Sequence, residues 1–177
     1  MFLRHALAAA SLLLTPAIAR AEPSIHADAP AGDGRADVYV AVGGQLGAIA
    51  DEAMVGLSAD ADVRIWRWLW GHAGVAVGEV PVILGGNDDG DYQQGLLGLT
   101  ARGCAHDTAA ICGFVGIDVG VLRMAPPFAM TTVDPIVVPR IGVDLGGDTV
   151  RFRPMVAFPI RPDDTGLVVT ASLAAGF

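Results

Sequence analysis

Residues 167–177 alternate without interruption. Leu167, Val169, Ala171, Leu173, Ala175 and Phe177 form one apolar row, while Val168, Thr170, Ser172, Ala174 and Gly176 form a second row of small, partly polar residues. Successive side chains on an extended strand point to opposite faces. The pattern predicts a β-strand with one wholly hydrocarbon face, and it does not suit a helix, whose apolar positions recur about every 3.6 residues.

Seven earlier segments carry similar parity, and together they predict an all-β fold of eight strands. The first runs near Asp37–Ala48, with Val38, Val40, Val42 and Leu46 opposite Tyr39, Ala41, Gly43 and Gln45. The second covers Val63–Trp70, with Trp66, Trp68 and Trp70 on one row and Arg67 on the other. The third, Ala73–Val80, places Val75 and Val77 on the apolar face. In the fourth, Tyr92–Gly103, Leu97, Leu99 and Ala101 stand against Gln94, Gly98, Thr100 and Arg102. In the fifth, Ile111–Leu122, Val115, Ile117, Val119 and Val121 stand against Gly116, Asp118 and Gly120. The sixth, Ile136–Leu145, sets Val137, Ile141, Val143 and Leu145 against Arg140, Gly142 and Asp144. The seventh, Val150–Ile160, sets Val150, Phe152, Val156, Phe158 and Ile160 against Arg151, Arg153 and Ala157.

Opposed residues of an antiparallel pair share a face, so parity also predicts turns. Cys104 opposite Cys112 brings Thr100 opposite Gly116 and Gly98 opposite Asp118. Leu145 opposite Val150 leaves Gly147-Asp148 as a tight loop and sets Asp144 across from Arg151. Trp70 opposite Ala73 leaves Gly71-His72 as another. Residues 51–62, 81–91 and 124–135 then read as long loops. Pro139 and Pro154 fall inside strands, where a missing N–H predicts local bulges.

The chain of 177 residues begins like an export signal: Arg4, an apolar run Ala6–Leu14, and Ala19-Arg20-Ala21 before a cut at Glu22. Residues 1–21 are the predicted signal peptide, 22–36 a loose leader rich in Ala, Pro, Asp and Gly, and 37–177 one domain. Without Arg4 and Arg20 the chain keeps 9 arginines against 19 acidic residues, a net charge of −10, which disfavours nucleic acid as a partner. In an exported chain Cys104 and Cys112 are expected to form a disulfide.

The deciding question is which face points inward. In a soluble barrel or sandwich the apolar rows fill the interior; in a membrane barrel they face lipid. The polar rows here hold glycine and alanine with isolated Arg67, Arg102, Asp118, Arg140, Asp144, Arg151 and Arg153. Eight strands enclose a space just wide enough for side chains, and small residues among a few paired ions would fill it. The apolar rows of the last three strands carry no charge, as a lipid-facing surface requires. Trp66, Trp68 and Trp70 then read as an aromatic belt at the membrane interface, with Arg64 on the same row at the strand's other end.

With its signal segment, its strand parity over 37–177 and its terminal strand ending on Phe177, the chain resembles the small outer-membrane β-barrels of Gram-negative bacteria, the OmpA-like and OmpX-like eight-stranded class. The resemblance implies an antiparallel up-and-down transmembrane barrel, monomeric, in contact with outer-membrane lipid. It also implies that Leu173, Ala175 and Phe177 are read by the barrel-assembly machinery. Members of that class serve as anchors, adhesins, small pores and, in a few cases, lipid-modifying enzymes, so fold does not select a role.

The bound expectation is a structural or surface-interaction protein whose lumen is plugged by Arg/Asp pairs. A small pore and a soluble periplasmic barrel holding an apolar ligand are the alternatives. Catalysis is not expected. Beyond the signal only Ser24, Ser58, Ser172, His26, His72 and His106 are available, and none pairs with another at nucleophile–base spacing on one face. No cofactor or metal is expected either. The acidic stretches Asn87–Asp91 and Asp163-Asp164 are read as solvated loop tips rather than calcium ligands.

Overall fold

The computed structural model describes residues 37–49, 52–81, 89–105, 111–127, 129–147 and 149–177. The predicted signal peptide and leader, with Ser24 and His26, lie outside the described residues, as do His106, Asp148 and the Asn87-Asp88 part of the acidic stretch. The described chain forms β1 (Val38–Ile49), β2 (Glu52–Arg64), β3 (Leu69–Val80), β4 (Gly90–Cys104), β5 (Ile111–Ala125), β6 (Thr132–Gly146), β7 (Val150–Ala157) and β8 (Gly166–Gly176). Each strand pairs antiparallel with its sequence neighbour, and β8 returns to β1 to close the barrel. The closing ladder runs from Tyr39–Gly176 to Ile49–Gly166, and the Phe177 backbone extends it by donating to Val38 O at 2.9 Å. A closed sheet leaves no unpaired edge, so every strand can be long without inviting aggregation.

Parity holds for β1, for β3 from Ala73 onward, and for β4 through β8. Val42, Leu46, Leu97, Leu99, Val115, Ile117, Val119, Ile141, Phe152, Leu167 and Leu173 are exposed on the outer face. Arg102, Asp118, Arg140, Asp144, Arg151 and Arg153 are buried inside. The β4–β5 register is the one that parity predicts, with Cys104–Cys112, Thr100–Gly116 and Gly98–Asp118 as rungs. Cys104 and Cys112 are disulfide-bonded.

The β2–β3 hairpin differs from expectation. Residues 52–62 are strand rather than loop, and the turn falls at 65–68 instead of Gly71-His72. The rungs run from Arg64–Trp70 through Asp62–His72 to Val55–Glu79. The reason is visible in the outer row: Val55, Leu57 and Val63 are exposed, while Ser58, Asp60 and Asp62 point inward between them. Acidic residues mimic a loop when the barrel keeps its charges inside. The predicted long loop at 51–62 shrinks to residues 50–51, while the connections at 81–89, 126–131 and 158–165 share the same end of the barrel. The β6–β7 hairpin is also shifted, by two residues: Leu145 opposes Phe152 and Gly146 opposes Arg151, so Asp144 falls across from Arg153 rather than Arg151. An even shift preserves every face, which is why parity could not detect it.

The expected bulges at Pro139 and Pro154 do not occur. Pro139 opposes Ile117 on β5, and its carbonyl accepts from Phe158 N at 2.9 Å. Pro154 has no N–H to give to β6. There the β6–β7 ladder lapses over Val143-Asp144 and Arg153-Pro154, then resumes in the same register. An ion pair spans that lapse, because Arg153 Nε donates to Asp144 Oδ1 at 2.6 Å.

The interior is layered. Toward the 81–89 and 158–165 connections, Ile49, Met54, Val80, Tyr92, Leu122, Met124, Ile136, Val138 and Val168 pack as one apolar cluster. At the opposite end, where the two chain ends of the barrel meet, Tyr39, Ala41, Trp70 and Ala174 form a second cluster. The charged residues lie between them.

Candidate functional site: the lumenal charge network

Eight charged side chains fill the middle of the lumen: Arg102, Arg140, Arg151 and Arg153 against Asp60, Asp62, Asp118 and Asp144, all buried. Each points inward because it alternates with a hydrocarbon neighbour whose burial requires the opposite face. An unpaired ion there would be strongly unfavourable, so the network must satisfy itself.

Arg153 is the hub. Its Nη1 donates to Asp62 Oδ2 at 2.6 Å, while Nε donates to Asp144 Oδ1 and Nη2 lies 3.4 Å from Asp144 Oδ2. One guanidinium from β7 thus ties β2 to β6 across the barrel, the planar two-sided pairing that arginine makes and lysine cannot. Arg102 adds a second link: Nη2 lies 3.2 Å from Asp62 Oδ2, and Nε lies 3.2 Å from Asp144 Oδ2. Arg151 Nη1 stands 3.7 Å from Asp144 Oδ2, and the guanidinium also donates to Gly147 O and to Cys112 Sγ. A second group centres on Asp118, whose Oδ2 accepts from Arg140 Nε at 2.7 Å; Arg140 Nη2 also donates to Thr100 Oγ1.

Aromatic faces complete the arginine shells. Arg102 lies 4.4 Å from the Trp70 ring centre and 5.0 Å from Tyr39, and Arg151 lies 4.7 Å from Tyr39. Arg153 and Arg140 flank Phe114. Away from water each such contact contributes up to about 2 kcal/mol.

Two residues assigned from sequence stand elsewhere. Arg67 is exposed in the β2–β3 turn and takes no part in the network. Trp70 is only 5% exposed and faces inward, whereas Trp66 and Trp68 are 64% and 56% exposed in the turn. Once β3 begins at Leu69, Trp70 falls on the inner row and serves as a stacking surface rather than as part of a belt. Arg64 sits beside the tryptophan turn, paired with Asp37, not at the far end of the strand. Leu173 and Phe177 are exposed on the outer row, with Ala175 half-buried between them.

Sequence reasoning missed Asp60, Asp62 and His72. The available signal was electrostatic: five arginines against two aspartates made an unbalanced plug. With Arg67 outside, the remaining four still lacked two inward carboxylates, and β2 supplies them. His72, read as a turn residue, is buried, with Nδ1 2.9 Å from Asp62 Oδ1.

No family model matches the sequence, and no curated protein matches it. The fold does match solved structures. Neisserial surface protein A (NspA) is similar with a TM-score of 0.59 at 10% identity, covering 79% of this chain and 96% of that one. Ail, the attachment invasion locus protein of Yersinia pestis, gives 0.57 at 8% identity, with 81% and 99% covered. The N-terminal β-barrel domain of Pseudomonas aeruginosa OprF gives 0.56 at 7% identity, with 78% and 97% covered. The architecture of this chain is that of the small eight-stranded barrels, the OmpA-like and OmpX-like class.

Proposed function

We propose that this chain is an outer-membrane barrel with a structural or surface-interaction role, its lumen closed to ions. The observation that carries the reading is polarity turned inside out: the outer wall is hydrocarbon and the interior holds the ions. Among the described outward-facing strand residues, charge occurs only at Glu79, Asp91 and Arg123, on the rim toward the longer connections, where Asp91 and Arg123 pair. Lipid accounts for such a wall, since a charge at mid-depth costs about 2–4 kcal/mol. Trp66 and Trp68 would rest at the headgroup level on the opposite rim. The outward row Leu173, Ala175 and Phe177 would serve the assembly machinery during insertion. The barrel would act as a monomer.

The soluble alternative needs an apolar lumen for its ligand, and the middle of this lumen is ionic. Catalysis is not part of the proposal, although Ser58, Asp62 and His72 do share the inner face. Among the described residues Ser58 Oγ makes no hydrogen bond, so they assemble no nucleophile–base pair. Cell fractionation followed by refolding into detergent tests the reading. Membrane recovery and heat-modifiable gel mobility are expected; a protein that folds in plain buffer without detergent would overturn it.

A further inference from the structure

The arginine network leaves one carboxylate out. Asp60 forms no ion pair with any of the four lumenal arginines; its nearest nitrogen-bearing partner is His72, whose Nε2 is 3.8 Å from Asp60 Oδ1. The same Nε2 lies 3.9 Å from Asp118 Oδ2. Both gaps are too long for a hydrogen bond. On the other side of the ring Nδ1 is engaged by the Asp62 carboxylate at 2.9 Å. That contact orients the imidazole and leaves its second nitrogen turned toward two carboxylates. A carboxylate behind a histidine whose far nitrogen faces further oxygen donors is the arrangement that holds metal ions.

Three more observations converge on this point. Asp60 Oδ2, Asp118 Oδ1 and Ser58 Oγ are buried and have no hydrogen-bond partner among the described residues. Asp60, His72, Ser58 and Asp118 line a cavity of about 30 Å³, together with Gln45, Thr170 and Arg140. That space suits about two waters, or one small ion with a water. Finally, two glycines keep the place open. A Cβ on Gly74 would lie 3.1 Å from both Asp60 Oδ1 and His72 Nε2. A Cβ on Gly98, the residue between His72 and Asp118 around the barrel, would lie 2.1 Å from Asp118 Oδ1.

We propose that this cavity binds one divalent transition-metal ion of the zinc class, held by His72 Nε2, Asp60 and Asp118, with Ser58 or water completing the shell. One imidazole and two carboxylates suit that class better than calcium or magnesium, which take all-oxygen sites. As they stand, no three such side chains among the described residues close around a common point. Donors around a tetrahedral zinc lie about 3.3 Å apart for bonds of about 2.0–2.1 Å. The two gaps must each shorten by roughly half an ångström, a side-chain adjustment that attraction to the cation would drive. Asp118 remains bonded to Arg140 and Asp62 to Arg153, so binding at Asp60 would leave the arginine network in place. This inference does not depend on which solvent surrounds the barrel.

The test uses the full chain, purified folded and stripped with chelator, then equilibrated with Zn²⁺ and separately with Co²⁺. The expected result is one ion per chain and, for Co²⁺, the visible absorption of a low-symmetry site with one nitrogen donor. Asp60→Asn and Gly74→Ala should each weaken Zn²⁺ binding at least tenfold while heat-modifiable mobility shows the barrel intact. Asp60→Asn preserves shape, so it covers the case in which Gly74→Ala disturbs folding. Absence of stoichiometric binding would overturn the proposal. So would equal binding by wild type and both variants, which would place the ion on the acidic loops, or a Co²⁺ spectrum of six oxygen donors, which would exclude His72.

Discussion

The two halves of the lumen solve the same filling problem with opposite chemistry. Toward the longer connections the interior is hydrocarbon, with Leu122, Met124, Ile136 and Val80 fully buried against Tyr92. Toward the chain ends it is a lattice of ions and rings around Arg153. A hydrocarbon half is forgiving, because each methyl group adds a small, nearly independent increment. An ionic half is interdependent: the removal of one charge strands its partners in a dry interior. Dispersion therefore seals one half, and mutual neutralisation holds the other in one arrangement.

Breaking the ionic half should have the largest effect. Arg153→Met leaves both Asp62 and Asp144 short of a partner and is expected to destabilise the refolded barrel by about 3–5 kcal/mol, read from urea midpoints in detergent. Asp144→Ala should behave similarly and lower stability more than it changes ion conductance; unchanged stability with altered current in planar bilayers would favour the pore. Combining Arg153→Met with Asp144→Leu sharpens the contrast. The double variant should be less destabilised than the sum of its parts, whereas two separate changes in the apolar half should add. Leu122→Ala in that half is expected to cost about 2–4 kcal/mol through the cavity it leaves. Replacing Cys104 and Cys112 with serine should cost roughly 2 kcal/mol, since the enclosed loop is short. Asp37→Ala, which breaks the exposed pair with Arg64, should fall below about 1 kcal/mol.

The same contrast explains what could be read from sequence. Wherever bulky β-branched residues alternate with glycine and arginine, as in β5 and β6, the face assignment was legible, because a hydrocarbon row has only one use in such a sheet. Leu167, Leu173 and Phe152 stand on the outer wall as their parity requires. β2 was illegible for the opposite reason. Its inner residues Ser58, Asp60 and Asp62 are those that normally mark loops, and its outer row includes Ala59 and Ala61, too small to signal a strand. Placing the hairpin turn too late then carried Trp70 and Arg67 to the wrong places. The β6–β7 slip shows a different limit: parity is blind to even shifts, and it is the backbone rungs Leu145–Phe152 and Ile141–Val156 that distinguish the two registers. Of the candidate metal site, Asp118 on β5 was legible as an inward residue, whereas Ser58, Asp60 and His72 lay within the misread hairpin.

The lapse beside Pro154 bears on how this barrel opens. A hoop parts at its weakest seam, and the weakest seam here lies between β6 and β7, not where the first and last strands meet. At that seam a side-chain pair takes over from a missing peptide contact, and through Arg153 it is lashed to β2 on the far wall. The backbone amide of Val143 should therefore exchange with solvent deuterium ahead of those in β4 or β5. Neutralising the lash should make the wall gape sideways there, along a line fixed by a single proline.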